Sequence, residues 1–194
     1  MPQQLESLLS DMRKCTLCAG LPLGPKPIFQ LHKDAKILIV GQAPGRITHE
    51  KGRPFDDPSG DRLRNWLAID KSTFYDDPRV GIFPMGLCFP GTGRGGDAPP
   101  RTLCADSWRQ RVLDHLQNVE LTLILGAYAI AWHLPTQRKM SVTQAVWQSL
   151  QEDRDIHVLP HPSPRNNRWL RENEWFETRA IPRIQRDIRR VLNS

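Results

Sequence analysis

Apolar positions along the chain follow two alternating rhythms. Leu5, Leu8, Leu9 and Met12 recur at helical spacing within residues 2–13. Residues 36–40, KILIV, are instead apolar without a break after the lysine, as expected of a strand buried on both faces. LTLIL at 121–125 and DIHVLP at 155–160 read the same way, and RVGIF at 79–83 is a shorter strand. Helical spacing returns between them. It marks 59–69, with Ser59 as N-cap, and about 101–117, which carries Cys104, Trp108, Val112 and Leu116. It returns again at AYAIAWHL (127–134), at 141–150, and at 171–192, where Pro182 kinks or splits the helix. Short apolar strands alternating with helices predict an α/β protein whose parallel sheet is covered on both faces. No internal repeat or linker interrupts the pattern, so residues 1–194 read as a single domain.

Composition narrows the class. A chain of 194 residues, 39% hydrophobic and 25% charged, is long enough and apolar enough to bury its own core. No apolar run approaches the roughly 20 residues of a membrane helix. The segment MPQQLESLLSDMRK lacks the layout of a signal peptide, so a cytoplasmic protein without a membrane partner is expected. Net charge is +6, and 20 of the 27 basic residues are arginine. Guanidinium forks grip phosphate in a bidentate way, which points to a polyanion such as nucleic acid.

Two loops leave strands at what would be the carboxyl edge of the sheet, where parallel folds bind ligands. GQAPG (41–45) follows the first strand, and HPSPRNN (161–167) follows the last. Gly41 and Gly45 permit backbone conformations closed to other residues and Pro44 stiffens the turn, so a ligand can approach its amides. Phe55, in GRPF, is either a stacking platform or a core residue. His161, held by Pro162 and Pro164, either donates to a developing anion or caps a turn. Arg165, Asn166, Asn167 and Arg168 form a polar loop suited to phosphates or base edges. CTLC supplies Cys15 and Cys18, and Cys88 and Cys104 complete a set of four thiols with none left over. Their spacing admits zinc and iron–sulfur alike.

Taken together, GQAPG, GRPF, HPSP and the C-x2-C…C-x15-C pattern resemble the uracil-DNA glycosylase superfamily, above all its iron–sulfur branches, family 4 and family 5. The resemblance runs from about Cys15 to Trp169. It implies a three-layer α/β/α fold with a central four-stranded parallel sheet, and a [4Fe–4S] cluster on Cys15, Cys18, Cys88 and Cys104. It implies that Gly41, Ala43, Pro44, Gly45 and Ser163 wall a pocket for a flipped-out base, with Phe55 stacked on it. His161 would then stabilise the departing base, Gln42 would hold the attacking water, and residues 165–168 would press on the DNA. The expected activity is that of a monomeric, monofunctional glycosylase. It would hydrolyse the N-glycosidic bond of uracil or another deaminated base in DNA. The alternative is a non-catalytic iron–sulfur DNA-binding protein of the same fold. Two departures bear on this choice. Related enzymes carry an Asp where this chain has Ala43, or a Glu where it has Gln42, so another acid such as Glu50, Asp56 or Asp57 would have to activate water. The segment FPMGLC also lacks the Asn that reads a pyrimidine edge in family 4.

Overall fold

The computed structural model describes residues 2–93, 95–152 and 155–194. Helix α1 (Pro2–Arg13) precedes strand β1 (Ile37–Val40). Three short helices, α2 (Arg46–Lys51), α3 (Pro58–Leu67) and α4 (Lys71–Asp76), lead to β2 (Val80–Ile82). A small antiparallel hairpin, β3 (Thr92–Gly93) and β4 (Gly96–Asp97), interrupts the Gly/Pro-rich loop before α5 (Thr102–Leu113). Then come β5 (Leu121–Leu125), α6 (Ala127–His133), α7 (Val142–Gln151) and β6 (Ile156–Leu159). The chain closes with α8 (Asn167–Glu172), a π-helical turn at Phe176–Ala180, and α9 (Ile181–Leu192).

The sheet is four-stranded and parallel throughout, in the order β2-β1-β5-β6. Every residue of β1 and β2 is buried. Side chains of a strand alternate between faces, so burial of all of them requires cover on both sides. α9 lays Ile181, Ile184, Ile188 and Val191 inward, packing on β5 and against α3. α1 packs on α5 through part of the same core. A buried His157–Asp187 contact of 2.9 Å clasps β6 to α9. At the β2 edge, Gln30 exchanges backbone hydrogen bonds with Ile82, which satisfies amides that would otherwise face an open sheet edge.

Several boundaries depart from the sequence pattern. The N-cap of α3 is Asp57, whose side chain accepts from the Gly60 amide at 2.8 Å, and Ser59 lies inside the helix. Both residues are good caps, and the helix starts at the one followed directly by proline. α5 ends at Leu113, short of residue 117. Pro182 falls in the first turn of α9, where its missing N–H is harmless, and the π-helical turn before it accommodates the join. α2, α4 and the hairpin carry no periodic apolar signal of their own.

The strand order places a topological switch point between β1 and β5. The chain leaving β1 travels to β2 on one side, and the chain leaving β5 travels to β6 on the other. The loops at their carboxyl ends part there and open a crevice.

Candidate active site

The crevice holds a cleft of about 380 Å³, within the usual range for a small-molecule site. Residues 41–45 form one wall, Phe55 and Asp57 a second, and His161, Ser163 and Arg165 a third. The two loops picked out from sequence thus meet in space, and Phe55 joins them.

Neither Gly41 nor Gly45 takes a left-handed backbone, so the expectation of special conformations there is corrected. Close approach explains Gly45 instead. A Cβ on it would stand 3.2 Å from the Asp97 carboxylate, and Gly45 itself opens α2 in extended geometry. The turn is fastened from below by the chain leaving β2. Met85 N–H donates to Gly41 O at 2.8 Å, and Gly86 N–H donates to Gln42 O at 2.9 Å. The Gln42 side-chain amide donates to Ala98 O at 3.0 Å, which ties the turn to the β3–β4 hairpin. Its carbonyl oxygen accepts no hydrogen bond from a described residue and can hold a water.

Phe55 is positioned with unusual firmness. Its φ is +53°, a left-handed conformation that disfavours a bulky side chain. Its carbonyl compensates by accepting from Tyr75 Oη at 3.0 Å and from Arg64 at 3.3 Å, and Arg64 also donates to Tyr75 at 3.0 Å. Gly60 is obligatory beneath it, because a Cβ there would lie 1.7 Å from the Phe55 oxygen. The ring rests edge-on against Phe74, with its tip over Gly41.

His161 follows β6, and its carbonyl accepts from the Asn166 side chain at 2.7 Å. Burial pushes its pKa below the ordinary imidazole value, with Asp57 and Asp97 pulling the other way. A ring held neutral at physiological pH still donates one N–H. Ser163 lines the cleft, and its hydroxyl accepts from the Arg165 amide. Arg165 reaches back to Gly95 O at 3.0 Å on the hairpin. Asn167 is bound to Arg62 at 2.7 Å. Arg168 points away at 83% exposure and pairs with Glu172. Of the four loop residues, Arg165 lines the cleft and Asn166 an adjoining hollow beside Trp169, while Asn167 and Arg168 stand outside both.

Among the acids expected to stand in for the missing carboxylate, Asp57 alone lines the cleft, and it is engaged as the α3 cap. Asp56 faces outward to Arg53 and Lys51. Glu50 does not line the cleft either. Sequence reasoning passed over Asp97, which does line it. No local signal marks it, because the hairpin alone carries it there.

The four cysteines converge. Cys15 and Cys18 after α1, Cys88, and Cys104 on α5 line one narrow cavity with apolar walls that include Leu87 and Trp108. All four are free thiols. Burial pushes Cys104 up to about 12 and Cys88 up to about 11. Leu87 N–H donates to Cys104 Sγ at 3.3 Å, and the Lys26 backbone amide also favours the charged form of Cys88. Among the described residues, no group of three or more His, Cys, Asp or Glu stands ready to hold a metal ion. No described helix is long and apolar enough to cross a membrane.

The fold is a parallel α/β sheet flanked by helices, and its switch-point crevice is lined by Phe55 and His161. The family follows from the sequence match: the family model of the uracil DNA glycosylase superfamily covers residues 29–185, and the chain belongs to that superfamily. Cys88 and Cys104 lie inside the matched segment, and Cys15 and Cys18 lie before it.

Proposed function

We propose that this chain is a monofunctional DNA glycosylase that hydrolyses the N-glycosidic bond of uracil or another deaminated base flipped out of DNA. The observation that carries the reading is the meeting of Phe55 and His161 across the 41–45 turn in one cleft. Glycosidic cleavage develops a sugar cation and a base anion, so the site needs fixed donors more than a strong nucleophile. Phe55 offers a rigid face for the extruded base, and His161 offers an N–H to the oxygen on which charge accumulates. Extrusion costs a few kcal/mol and is easiest at a mispair, such as deamination creates. Arg165 on the cleft rim would meet the phosphate backbone.

The four cysteines suit a [4Fe–4S] cluster on Cys15, Cys18, Cys88 and Cys104. Thiols pushed as far up as those of Cys88 and Cys104 are inert unless a metal deprotonates them. Apolar walls and N–H donors to sulfur are the surroundings such a cluster needs. A single tetrahedral zinc ion, with Zn–S near 2.3 Å, would need sulfurs about 4 Å apart. A cluster would not need its thiolates gathered round a single ion, and no described group of three or more is gathered so. Its role would be structural, tying the segment after α1 to the β2 loop and α5. Protein purified without oxygen should be brown and contain iron and sulfide, and Cys88→Ser should lose both colour and solubility. Stoichiometric zinc without iron would overturn the assignment.

Gln42 favours a second reading, a non-catalytic DNA-binding protein of the same fold, because it cannot deprotonate water. One experiment separates the two. The protein is incubated with oligonucleotides bearing single uracil, hypoxanthine or xanthine sites and then treated with alkali. Strand breaks at the lesion support the enzyme; their absence at all three, with DNA binding intact, supports the binding protein.

A further inference from the structure

We infer that Asp97 is the carboxylate that takes the proton from the attacking water, an inference that rests on the glycosylase reading above. Among the described residues, two carboxylates line the cleft, Asp57 and Asp97. Asp57 gives one oxygen to the Gly60 amide as the cap of α3, which fixes the direction of its carboxylate. Asp97 has no hydrogen bond or ion pair to its carboxylate among the described residues, and one oxygen lies against the bare backbone of Gly45. A side chain at residue 45 would crowd that oxygen.

The hairpin that carries Asp97 is latched at both shoulders. Gln42 donates to Ala98 O, and Arg165 donates to Gly95 O. Gly96 lets the second latch close, since a Cβ there would stand 2.4 Å from the Arg165 guanidinium. Two residues that sequence reasoning assigned to water and to DNA therefore also position an acid that it did not single out.

The step balances without a further reactant. The C1′–N bond breaks and its electron pair stays with the base, whose anion is held by the His161 N–H. Water oxygen bonds to C1′, and one water proton passes to the Asp97 carboxylate. Asp97 then returns that proton to solvent, and the base is released after taking one up. The groups facing Asp97 are Arg165 and, where protonated, His161 from the β6 loop, which favour its ionised form, and Asp57 at the start of α3, which opposes it. One-sided burial outweighs them and moves its pKa upward, although the residue is open to solvent on its other side.

The test uses the full-length protein in single-turnover excision on uracil, hypoxanthine and xanthine oligonucleotides across pH. Affinity for the same DNA and Tm are measured alongside. Asp97→Asn should lower the rate by about 10²-fold or more. The acid limb of the pH profile should disappear with it, while affinity and Tm hold. Added formate should restore part of the rate to Asp97→Ala. If the wild type excises a base and Asp97→Asn stays within about threefold with its acid limb in place, the assignment falls and the glycosylase reading stands. If the wild type excises none of the three, both fall together.

Discussion

At the scale of single residues, the site is built from groups held away from their ordinary states. Phe55 keeps a left-handed backbone because Tyr75 and Arg64 grip its carbonyl. Burial holds the His161 pKa down, so its ring is neutral at physiological pH and keeps one N–H to donate. His161→Ala is expected to slow excision by about 10²–10³, the usual loss on removing one preorganised donor, with DNA affinity nearly unchanged in a binding titration. A second histidine tests burial away from the cleft. His133 is pushed down to about 3 by burial, with Arg109 adding to the effect. The unfolded chain binds that proton near pH 6.5 and the folded chain does not. Its contribution to stability is therefore full above about pH 6.5 and is lost as pH falls toward 3. Urea unfolding of His133→Gln should lose about 1–2 kcal/mol less than the wild type between pH 7 and pH 5.

At the scale of elements, the start of α3 carries both its cap and the glycine beneath the Phe55 carbonyl. Ser59→Ala should leave Tm unchanged, whereas Gly60→Ala should lower it by several degrees, because the new methyl would collide with the Phe55 carbonyl. Thermal unfolding of the two variants side by side checks this. The β3–β4 hairpin gives a second expectation. Gln42→Glu places a carboxylate in the turn, yet glutamate cannot donate to Ala98 O. It should therefore lower the excision rate rather than raise it, and protease nicking within residues 91–98 should become faster. These two elements also show what the sequence could reveal. β1 was legible because it is apolar at every position, and β5 because it is apolar at all but Thr122. GQAPG and HPSP were legible because glycine and proline directly after such strands have few other uses. The hairpin was not, since its two-residue strands have no alternation to read. Asp97 reaches the cleft on that hairpin, which Gln42 and Arg165 help to hold. The cap of α3 was misjudged by two residues because Asp57 and Ser59 are equally capable in isolation.

At the scale of the whole molecule, the arginine excess sets the expected behaviour on DNA. Arg165 stands on the rim, while Arg168 is engaged with Glu172 on an exposed helix. The slope of log affinity against log salt should become shallower by about one unit in Arg165→Ala and change less in Arg168→Ala, as read by titrations at several salt concentrations. The sheet order has a consequence of a different kind. β1 lies in the middle of the sheet, between β2 and β5, yet β5 enters the chain only after α5. During synthesis β1 therefore leaves the ribosome long before its second neighbour exists. Until residues 121–125 emerge, one side of KILIV offers unpaired amides and apolar side chains to whatever is nearby. The strand that anchors the cleft in the finished protein is thus open to wrong pairing on one side for as long as residues 121–125 are not yet made.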